Sequence, residues 1–335
     1  MIDEALLRIL SAHAGAQQAF AQPPTSMTGG YWAAIYSFEL DDPPADLNGP
    51  LVLRVMPNPK AAVVETIVQR TVADQGYPTP RVVVDGSDEA LGGAFMVMQR
   101  VEGVALLAGL SIGGLWSLPK TLRRVASQLS VASVQLHDLD PQPVVDALDA
   151  AGVDITSLGV AGRINEIQAA AETSLAGFDE LLSWLDRSRP WLTPAVVCHG
   201  DIHPFNMLMT ADGSFNVLDW TNANLCRREF DVGFTAALLQ CAPIHVPSIA
   251  RKPLGAVTGA LARRFIDTYR RMSPINLDVV EWFEVLQYGR CLAAVATTST
   301  DDAIVGASHP FRVSAPAMIR QLRIITGVQI ALPPA

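Results

Sequence analysis

The segment that most constrains the fold of this chain spans residues 196–234 and reads VVCHGDIHPFNMLMTADGSFNVLDWTNANLCRREFDVGF. It places Asp201 and Asn206 in one short loop and then Asp219 at the end of an apolar run. An Asp-Gly pair before that run is typical of a tight turn, so we predict a β-hairpin that brings Asp219 back beside Asn206. Any fold that carries this segment must hold two carboxylates and an amide around one loop.

These residue types suit a magnesium–nucleotide phosphoryl-transfer site. One carboxylate can orient and deprotonate an acceptor hydroxyl, while the amide and the second carboxylate hold Mg²⁺ through hard oxygen ligands. A second interpretation stays open, in which His199, Asp201 and His203 bind zinc or iron in a metal-dependent hydrolase. Pro204 follows this run directly, so the run is neither a regular strand nor a regular helix face, and we favour phosphoryl transfer.

The order HGDxxxxN, then LDW, then an aspartate before an apolar helix resembles the aminoglycoside phosphotransferase/choline kinase-like family, relatives of the protein kinases. The resemblance implies an α+β fold with two lobes: an N-terminal antiparallel β-sheet lobe with a helix and a larger, mainly helical C-terminal lobe. It implies that Asp201 is the catalytic base and that Asn206 and Asp219 are Mg²⁺ ligands. His199 would fix the loop, and Asp231 would be the buried acid that braces it.

A basic residue, Arg54, stands inside the apolar run LVLRV. Burying a charge without a partner is costly, so Arg54 needs a partner or a ligand. Glu65, on a helix predicted for residues 61–75, can supply the partner. In kinase-like folds a strand lysine pairs with a helix glutamate and steadies the phosphates of the nucleotide, and the resemblance gives that role to Arg54 and Glu65. Arginine binds phosphate and carboxylate with a different reach from lysine, so its effect on turnover is left open.

Two further segments complete the predicted nucleotide site. Thr28, Gly29 and Gly30 lie in a turn between two strand-like runs, where backbone amides can approach phosphate oxygens. The resemblance places the base of the nucleotide against the backbone of Gln99 and Val101, in the hinge that joins the lobes. Because backbone groups do the recognition, the sequence is compatible with both ATP and GTP.

Hydrophobic periodicity predicts the surrounding elements. We predict a helix from Ile2 to Ala21 that is ended by Pro23-Pro24, and two strands about a turn at Asp85-Gly86. Further helical regions are predicted over residues 122–139, 160–185, 234–240, 255–272, 277–297 and 315–326. The predicted domains are a nucleotide-binding lobe, 1–101, and a helical C-terminal lobe with the catalytic loop and acceptor site, 102–335.

The acceptor site has a weaker signal. Asp278, Glu281 and Glu284 recur at helical spacing and could receive the ammonium groups of an aminoglycoside. A solvated helix face, with Asp278 near the helix N-terminus, is the interpretation that we favour. Arg227 and Arg228 argue against a polycationic acceptor, since they would repel it if they faced the site.

Composition excludes other classes of protein. The formal net charge of -9 over 335 residues argues against a nucleic-acid partner. The four cysteines form no CxxC pair, so reduced thiols are predicted. The chain opens with the acidic MIDE and shows no secretory signal, and the uncharged, largely apolar segment 103–119 is shorter than the ~20 residues that span a membrane. We expect a cytoplasmic monomer or homodimer with no membrane partner.

Three functions remain in consideration. The leading one is a small-molecule kinase, an ATP- or GTP-dependent phosphotransferase that moves the γ-phosphoryl group to a hydroxyl of an aminoglycoside-like antibiotic, sugar or amino alcohol. The alternative is a catalytically weak or inactive kinase-like nucleotide-binding protein. Two features suggest it: Arg54 in place of the usual lysine, and Cys226-Arg227-Arg228 in the loop after Asp219, where the resemblance implies a different sequence. The third is the metal-dependent hydrolase. The presence of Asp201, Asn206 and Asp219 together favours the first.

Overall fold

The computed structural model describes residues 2–27, 33–107, 118–172, 176–191, 193, 195–297 and 310–332. The chain forms two compact units. The first consists of Met1–Leu106, Gln142–Val153 and Phe205–Ala223, and the second of Leu107–Pro141, Asp154–Pro204 and Asn224–Ala335. The functional division predicted at residues 101 and 102 stays a prediction, and the first compact unit also takes in the segment that carries Asn206 and Asp219.

The first unit is built on an antiparallel sheet. Its strands are β1 (Ala19–Ser26), β2 (Ala34–Asp41), β3 (Leu51–Met56), β4 (Val82–Asp88) and β5 (Gly93–Gln99). They lie in the order β1-β2-β3-β5-β4, so β3 is central, and it is buried along its whole length. This burial agrees with the uninterrupted apolar run that predicted the strand.

Two helices accompany this sheet. Helix α1 (Ile2–Ala14) contributes Leu6 and Leu10 to a core that also contains Leu53 of β3. Because side chains alternate along a strand, Arg54 points to the opposite face, where α2 (Pro59–Asp74) carries Glu65. The side chain of Asn58 caps α2 by accepting hydrogen bonds from the first backbone amides of the helix.

Two predictions in this unit are wrong. The helix predicted to reach Ala21 ends at Ala14, and Pro23-Pro24 lie in β1. Proline is tolerated there because β1 is an edge strand whose register shifts against β2. The turn predicted at Asp85-Gly86 lies instead at residues 89–92, since β4 continues to Asp88. At Gly86 the ring of Phe95 lies 3.3 Å from where a Cβ atom would be, so this glycine accommodates an aromatic neighbour rather than a turn.

A second, smaller sheet completes the first unit. Its strands are β6 (Val104–Ala105), β8 (Met207–Met209) and β9 (Phe215–Val217), in the order β6-β8-β9. Strands β8 and β9 form the predicted hairpin, with Met207 opposite Val217. Helix α4 (Gln142–Ala150) packs against α2 through the buried Val144 and Leu148, and the sequence analysis had not predicted it.

The second unit is mainly helical. Its helices are α3 (Leu118–His137), α5 (Val160–Ala171), α6 (Phe178–Arg187), α7 (Arg228–Gln240), α8 (Ser248–Met272), α9 (Leu277–Thr297) and α10 (Ala315–Thr326). Strands β7 (Val196–Cys198) and β10 (Asn224–Cys226) pair antiparallel beside them. The predicted helical regions are therefore confirmed in position, although the region 160–185 contains two helices and α7 begins earlier than predicted.

The core of this unit lies around α7 and α9, which are buried along most of their length. Phe230 and Phe234 of α7 stack at 4.0 Å between ring centroids, and Phe283 of α9 meets Phe230 edge to face. Among the residues that the structure describes, no helix combines the length and the apolar character needed to cross a membrane.

Candidate functional site

A cavity of about 590 Å³ lies in the first unit. This volume falls within the range of ~300–1,000 Å³ that is usual for small-molecule sites. Gln99 and Val101, which the sequence analysis assigned to the nucleotide base, both line it. Its wall also carries apolar side chains and four polar residues from the predicted site: Ile35, Val52, Met98, Leu208, Leu218, Arg54, Glu65, Asn206 and Asp219.

The β8–β9 hairpin brings Asn206 and Asp219 together at one end of the cavity. The backbone N–H of Leu218 donates to the carbonyl oxygen of Asn206 at 2.8 Å, which continues the pairing of the two strands. Asp219 follows with a φ of 66°, in the left-handed region that residues other than glycine rarely adopt. Such conformations cost roughly 1–3 kcal/mol and occur most often at functional sites.

Arg54 and Glu65 form the ion pair that the sequence predicted. Nε of Arg54 lies 3.1 Å from Oε1 of Glu65, and both side chains are almost fully buried. The guanidinium also donates through Nη2 to Oδ1 of Asp219 at 3.1 Å and to Oγ1 of Thr221 at 2.9 Å. One cation therefore serves two carboxylates, and Thr221 is a member of the site that the sequence analysis missed.

This cluster holds two carboxylates and one guanidinium. Burial and, to a smaller extent, the charge of Asp219 raise the pKa of Glu65 to about 7, against the opposing charge of Arg54. Two carboxylates that share one guanidinium carry a net negative charge when both are ionised, and this favours an added cation. Asn206 and Asp219 offer hard oxygen donors on the wall of the cavity, so the residues present fit Mg²⁺.

The predicted phosphate loop cannot be placed in the same way. Thr28, Gly29 and Gly30 lie outside the described residues. The chain next to them is described, and Met27 donates its backbone N–H to the carbonyl oxygen of Ile35 at 2.9 Å. Met27 and Ile35 both line the cavity, so the described flanks of this segment border it.

The predicted catalytic loop begins in the second unit, directly after β7. Asp231 of α7 accepts hydrogen bonds from the backbone N–H of His199 at 2.8 Å and of Gly200 at 2.6 Å, one on each carboxylate oxygen. The ring of His199 is buried, and its Nδ1 accepts the backbone N–H of Asp201 at 3.2 Å. The side chain of Asp201 is 23% exposed. The roles of His199 and Asp231 stay predictions, and these contacts are compatible with them.

A buried histidine extends this network. Nε2 of His137, at the end of α3, lies 3.0 Å from Oδ2 of Asp231, and its Nδ1 lies 2.7 Å from the hydroxyl of Tyr269. His137 had not been assigned to the site from the sequence. Its local sequence, LHDLDP, does not predict these hydrogen bonds, because the two partners are distant in the sequence.

The zinc or iron interpretation finds little support in this geometry. Among the described residues, the side chains whose possible ligand atoms converge within 4.8 Å are His137, Cys198 and Asp231. His137 and Asp231 use these atoms for hydrogen bonds, and burial together with the charge of Asp231 raises the pKa of the Cys198 thiol. His203 lies 3.7 Å from Asp201, but His199 and His203 are outside this group.

Two arginines of the second unit, Arg163 and Arg290, were not predicted as site residues from the sequence. Arg163 of α5 pairs with Glu166 at 2.7 Å, and Arg290 of α9 donates to Gln287 at 2.9 Å. Burial and the charge of Arg290 lower the pKa of Arg163, while the charges of Glu166 and Asp201 raise it. Both arginines lie on predicted helices, and their surroundings follow only from the packing of those helices.

The predicted acceptor residues lie on α9. Asp278 and Glu281 are exposed, and Glu284 is partly buried. Burial, followed by the charge of Glu281, raises the pKa of Glu284 to about 8. Glu284 is therefore largely protonated at neutral pH and offers an ammonium group less charge than the sequence suggests. The acceptor role of these residues stays a prediction.

The argument from Arg227 and Arg228 against a polycationic acceptor is not supported. Arg227 forms two hydrogen bonds to the carboxylate of Glu229 and a third, at 2.8 Å, to the carbonyl oxygen of Trp191. Arg228 donates to the hydroxyl of Ser273. Arg227 is thus paired with a carboxylate, and both guanidinium groups hold neighbouring segments of the second unit.

Comparison with known proteins agrees with this geometry. The sequence model of the phosphotransferase enzyme family matches residues 39–275. An aminoglycoside 3'-phosphotransferase of Streptomyces fradiae is 30% identical over 172 residues, which cover 49% of this chain and 60% of that protein. The chain therefore matches somewhat less than two thirds of that relative's length.

Solved structures are similar over nearly the whole chain. One is a protein of Ralstonia eutropha JMP134 provisionally assigned as an aminoglycoside phosphotransferase, with a TM-score of 0.62, 17% identity and coverage of 97% of this chain and 98% of that one. Another is a thermostable mutant of aminoglycoside phosphotransferase APH(4)-Ia in a ternary complex with AMP-PNP and hygromycin B, with a TM-score of 0.60, 16% identity and coverage of 95% and 98%. At these identities the likeness is one of fold, and it confirms the kinase-like α+β architecture predicted from the sequence.

Proposed function

Because the chain belongs to the phosphotransferase enzyme family, we propose that it transfers the terminal phosphoryl group of ATP or GTP to a hydroxyl of a small molecule. The observation that carries this proposal is the cavity of the first unit. Its wall combines a buried arginine–glutamate pair with an amide and a carboxylate from one hairpin. Phosphoryl transfer depends mainly on positioning and electrostatic stabilisation, and these are the groups that supply both.

The nucleotide would occupy the cavity with its base among apolar side chains. Ile35, Val52, Met98 and Leu208 line the wall and can exclude water from both faces of a planar base. The backbone of Gln99 and Val101 would meet the edge of the base. Arg54 would bind the phosphates, together with backbone amides of the Thr28–Gly30 segment.

Asn206 and Asp219 would hold the metal ion. When bound, Mg²⁺ neutralises charge on the phosphate oxygens and so favours attack on the terminal phosphorus. The position of Asp219 is set by its ion pair with Arg54 and by its left-handed backbone conformation. The carboxylate therefore needs little reorganisation when a cation arrives.

Asp201 would orient the acceptor hydroxyl and accept its proton. The loop that carries Asp201 is fixed by Asp231, whose carboxylate accepts hydrogen bonds from the backbone N–H groups of His199 and Gly200. A base held by a rigid loop keeps its distance to the reacting oxygen, and this positioning accounts for much of the rate of such reactions. Asp201 is partly exposed, so an acceptor can reach it.

The acceptor is a small molecule with a hydroxyl group, and we propose an aminoglycoside-like antibiotic, a sugar or an amino alcohol. The relatives named above are aminoglycoside phosphotransferases, which supports the first class. Asp278, Glu281 and Glu284 are the proposed contacts for its amino groups. We further propose a cytoplasmic protein, a monomer or homodimer, without nucleic-acid or membrane partners.

Calorimetric titration of ATP and GTP, with and without Mg²⁺, tests this proposal on the unsubstituted protein and on Asp219→Ala. We expect magnesium-dependent binding that weakens about tenfold or more in the variant, a loss of about 1.4 kcal/mol or more. Asp74→Ala, an exposed carboxylate in the same unit, is the matched control and should bind like the unsubstituted protein.

Acceptors are then screened by release of the nucleoside diphosphate. If the protein binds nucleotide but releases no nucleoside diphosphate with any hydroxyl compound, the alternative is supported: a nucleotide-binding protein with little turnover. Arg54 in place of lysine is the reason for considering that alternative. Absence of binding of either nucleotide would contradict the proposal.

A further inference from the structure

The hydroxyl of Thr221 lies at the centre of the charged cluster in the first unit. Its Oγ1 is 2.9 Å from Nη2 of Arg54, 2.5 Å from Oδ1 of Asp219 and 3.3 Å from Oε2 of Glu65. Its backbone N–H also approaches Oδ1 of Asp219, at 3.4 Å. One short side chain therefore contacts every charged member of the cluster.

The number of hydrogen bonds that a hydroxyl can donate and accept determines its role in each of these contacts. A threonine hydroxyl donates one hydrogen and can accept two. It accepts from Nη2 of Arg54, because a guanidinium can only donate. Its own hydrogen then goes to Asp219, the nearer of the two carboxylates. Thr221 thus connects the guanidinium to the carboxylate that is proposed to hold the metal.

The guanidinium of Arg54 is fixed on two of its edges. Nε meets Glu65 on one side, and Nη2 meets Asp219 and Thr221 on the other. Among the described residues, Nη1 of this arginine takes no part in these contacts, and the side chain lines the cavity. A guanidinium donor on the wall of a cavity can bind an anionic oxygen of a ligand.

We propose that Thr221 is a positioning residue of the nucleotide site, whose hydroxyl holds Arg54 and Asp219 so that Nη1 of Arg54 meets a phosphate oxygen of the bound nucleotide. This inference rests on the proposed function. A lysine is a compact charge on a flexible stem and finds a phosphate without such support, whereas a planar guanidinium must be oriented. Thr221 supplies that orientation for the arginine of this chain.

The test compares Thr221→Val, which removes the hydroxyl and keeps the shape, with Thr221→Ser, which keeps the hydroxyl. Calorimetry with ATP and GTP, in Mg²⁺ and in chelator, gives the dissociation constants without any need for turnover. We expect Thr221→Val to weaken nucleotide binding roughly tenfold in both conditions, as for the loss of a hydrogen bond to charged groups. Thr221→Ser should remain within about threefold of the unsubstituted protein, since it retains that bond. Thr268→Val, on the exposed face of α8, controls for the chemistry of the substitution.

A double-mutant cycle identifies the partner. In an Arg54→Lys background, Thr221→Val should cost less than about threefold in affinity, because a lysine does not need the hydroxyl. Thermal unfolding of each variant shows whether any loss of binding reflects loss of the fold.

Three results would overturn the inference while the proposed function stands. They are unchanged binding by Thr221→Val, equal loss in the serine and valine variants, and an equal loss in both Arg54 backgrounds. Absence of nucleotide binding by the unsubstituted protein would instead contradict the proposed function and this inference with it.

Discussion

At the residue scale, the chemistry of this protein is concentrated in carboxylates whose surroundings differ. Asp219 shares the guanidinium of Arg54 with Glu65, and its backbone is held in a left-handed conformation. Asp231 is fully buried and accepts backbone hydrogen bonds on both oxygens. Asp201 is part of a loop that is braced by another carboxylate, that of Asp231. Each surrounding suits the role proposed for it: metal ligand, brace and base.

Replacement of Asp201 by asparagine tests its role as the base. The amide is nearly isosteric but cannot accept the proton of an acceptor hydroxyl, so we expect turnover to fall by roughly 10²–10⁴-fold. Nucleotide affinity should stay within about threefold, since the change removes no contact to the nucleotide. Steady-state kinetics with an accepted substrate and calorimetry with the nucleotide give the two quantities.

The matched control is Asp186→Asn, an exposed aspartate near the end of α6 in the same unit, which should leave both quantities unchanged. Full activity of Asp201→Asn with any accepted substrate would exclude Asp201 as the base.

At the element scale, the contact between α7 and α9 positions the catalytic loop, because α7 carries Asp231. The helices meet closely at Gly233. A Cβ atom added there would lie 2.6 Å from Cβ of Phe283 and 2.7 Å from the carbonyl oxygen of Val280. Both neighbours are rigid parts of α9, so the helices can approach this closely only with glycine at the crossing.

Gly233→Ala should therefore destabilise the protein. Overpacking of a tight core typically costs about 1–3 kcal/mol, which exceeds the gain of up to ~1 kcal/mol from the better helix propensity of alanine. Urea unfolding followed by circular dichroism measures the free energy of unfolding.

Gly255→Ala in α8 is the control, because nothing lies within 4 Å of its added Cβ. That substitution should be neutral or stabilise by up to ~1 kcal/mol. Equal effects of the two substitutions would contradict the close contact between α7 and α9.

At the scale of the whole molecule, the partly buried acid Glu284 couples stability to pH. Glu284 of α9 has its pKa raised to about 8 by burial and by the charge of Glu281. Tyr288 on the same helix and Cys241 at the end of α7 share this environment, and Arg320 of α10 acts on the Cys241 thiol. Burial raises the pKa of the Cys241 thiol, whereas the charge of Arg320 lowers it.

The direction of the pH effect follows from the raised pKa. The unfolded chain releases the Glu284 proton near the ordinary value of 4.5, whereas the folded protein keeps it to about pH 8. The contribution of Glu284 to stability is therefore complete below pH 4.5 and is lost as the pH rises towards 8.

Glu284→Gln should remove this dependence. We expect the variant to be more stable than the unsubstituted protein at pH 8 by about 1–3 kcal/mol, since tenfold in proton affinity equals about 1.4 kcal/mol and solvent contact reduces the full effect. The two proteins should converge near pH 4.5. Urea unfolding at several pH values tests this, with Asp278→Asn as an exposed control on the same helix. Parallel pH profiles of the two proteins would contradict it.

The sequence by itself determined the parts of the protein that depend on local order. The spacing of Asp201, Asn206 and Asp219, with an Asp-Gly turn between the last two, was enough to predict the hairpin that joins Asn206 to Asp219. The apolar run around Arg54 and the helix with Glu65 likewise predicted a buried ion pair. In each case the partners lie on adjacent elements, where the periodicity of strand and helix fixes the direction of a side chain.

Only the tertiary structure decided which distant residues meet. Thr221, His137 and Tyr269 have ordinary sequence contexts, and their roles appear only once the packing sets a hydroxyl beside Arg54 and an imidazole beside Asp231. The pairing of Arg227 with Glu229, and the burial that protonates Glu284, were misjudged for the same reason. Local patterns specify the direction of a side chain. Its ionic partners and its degree of burial depend instead on elements that are distant in the sequence.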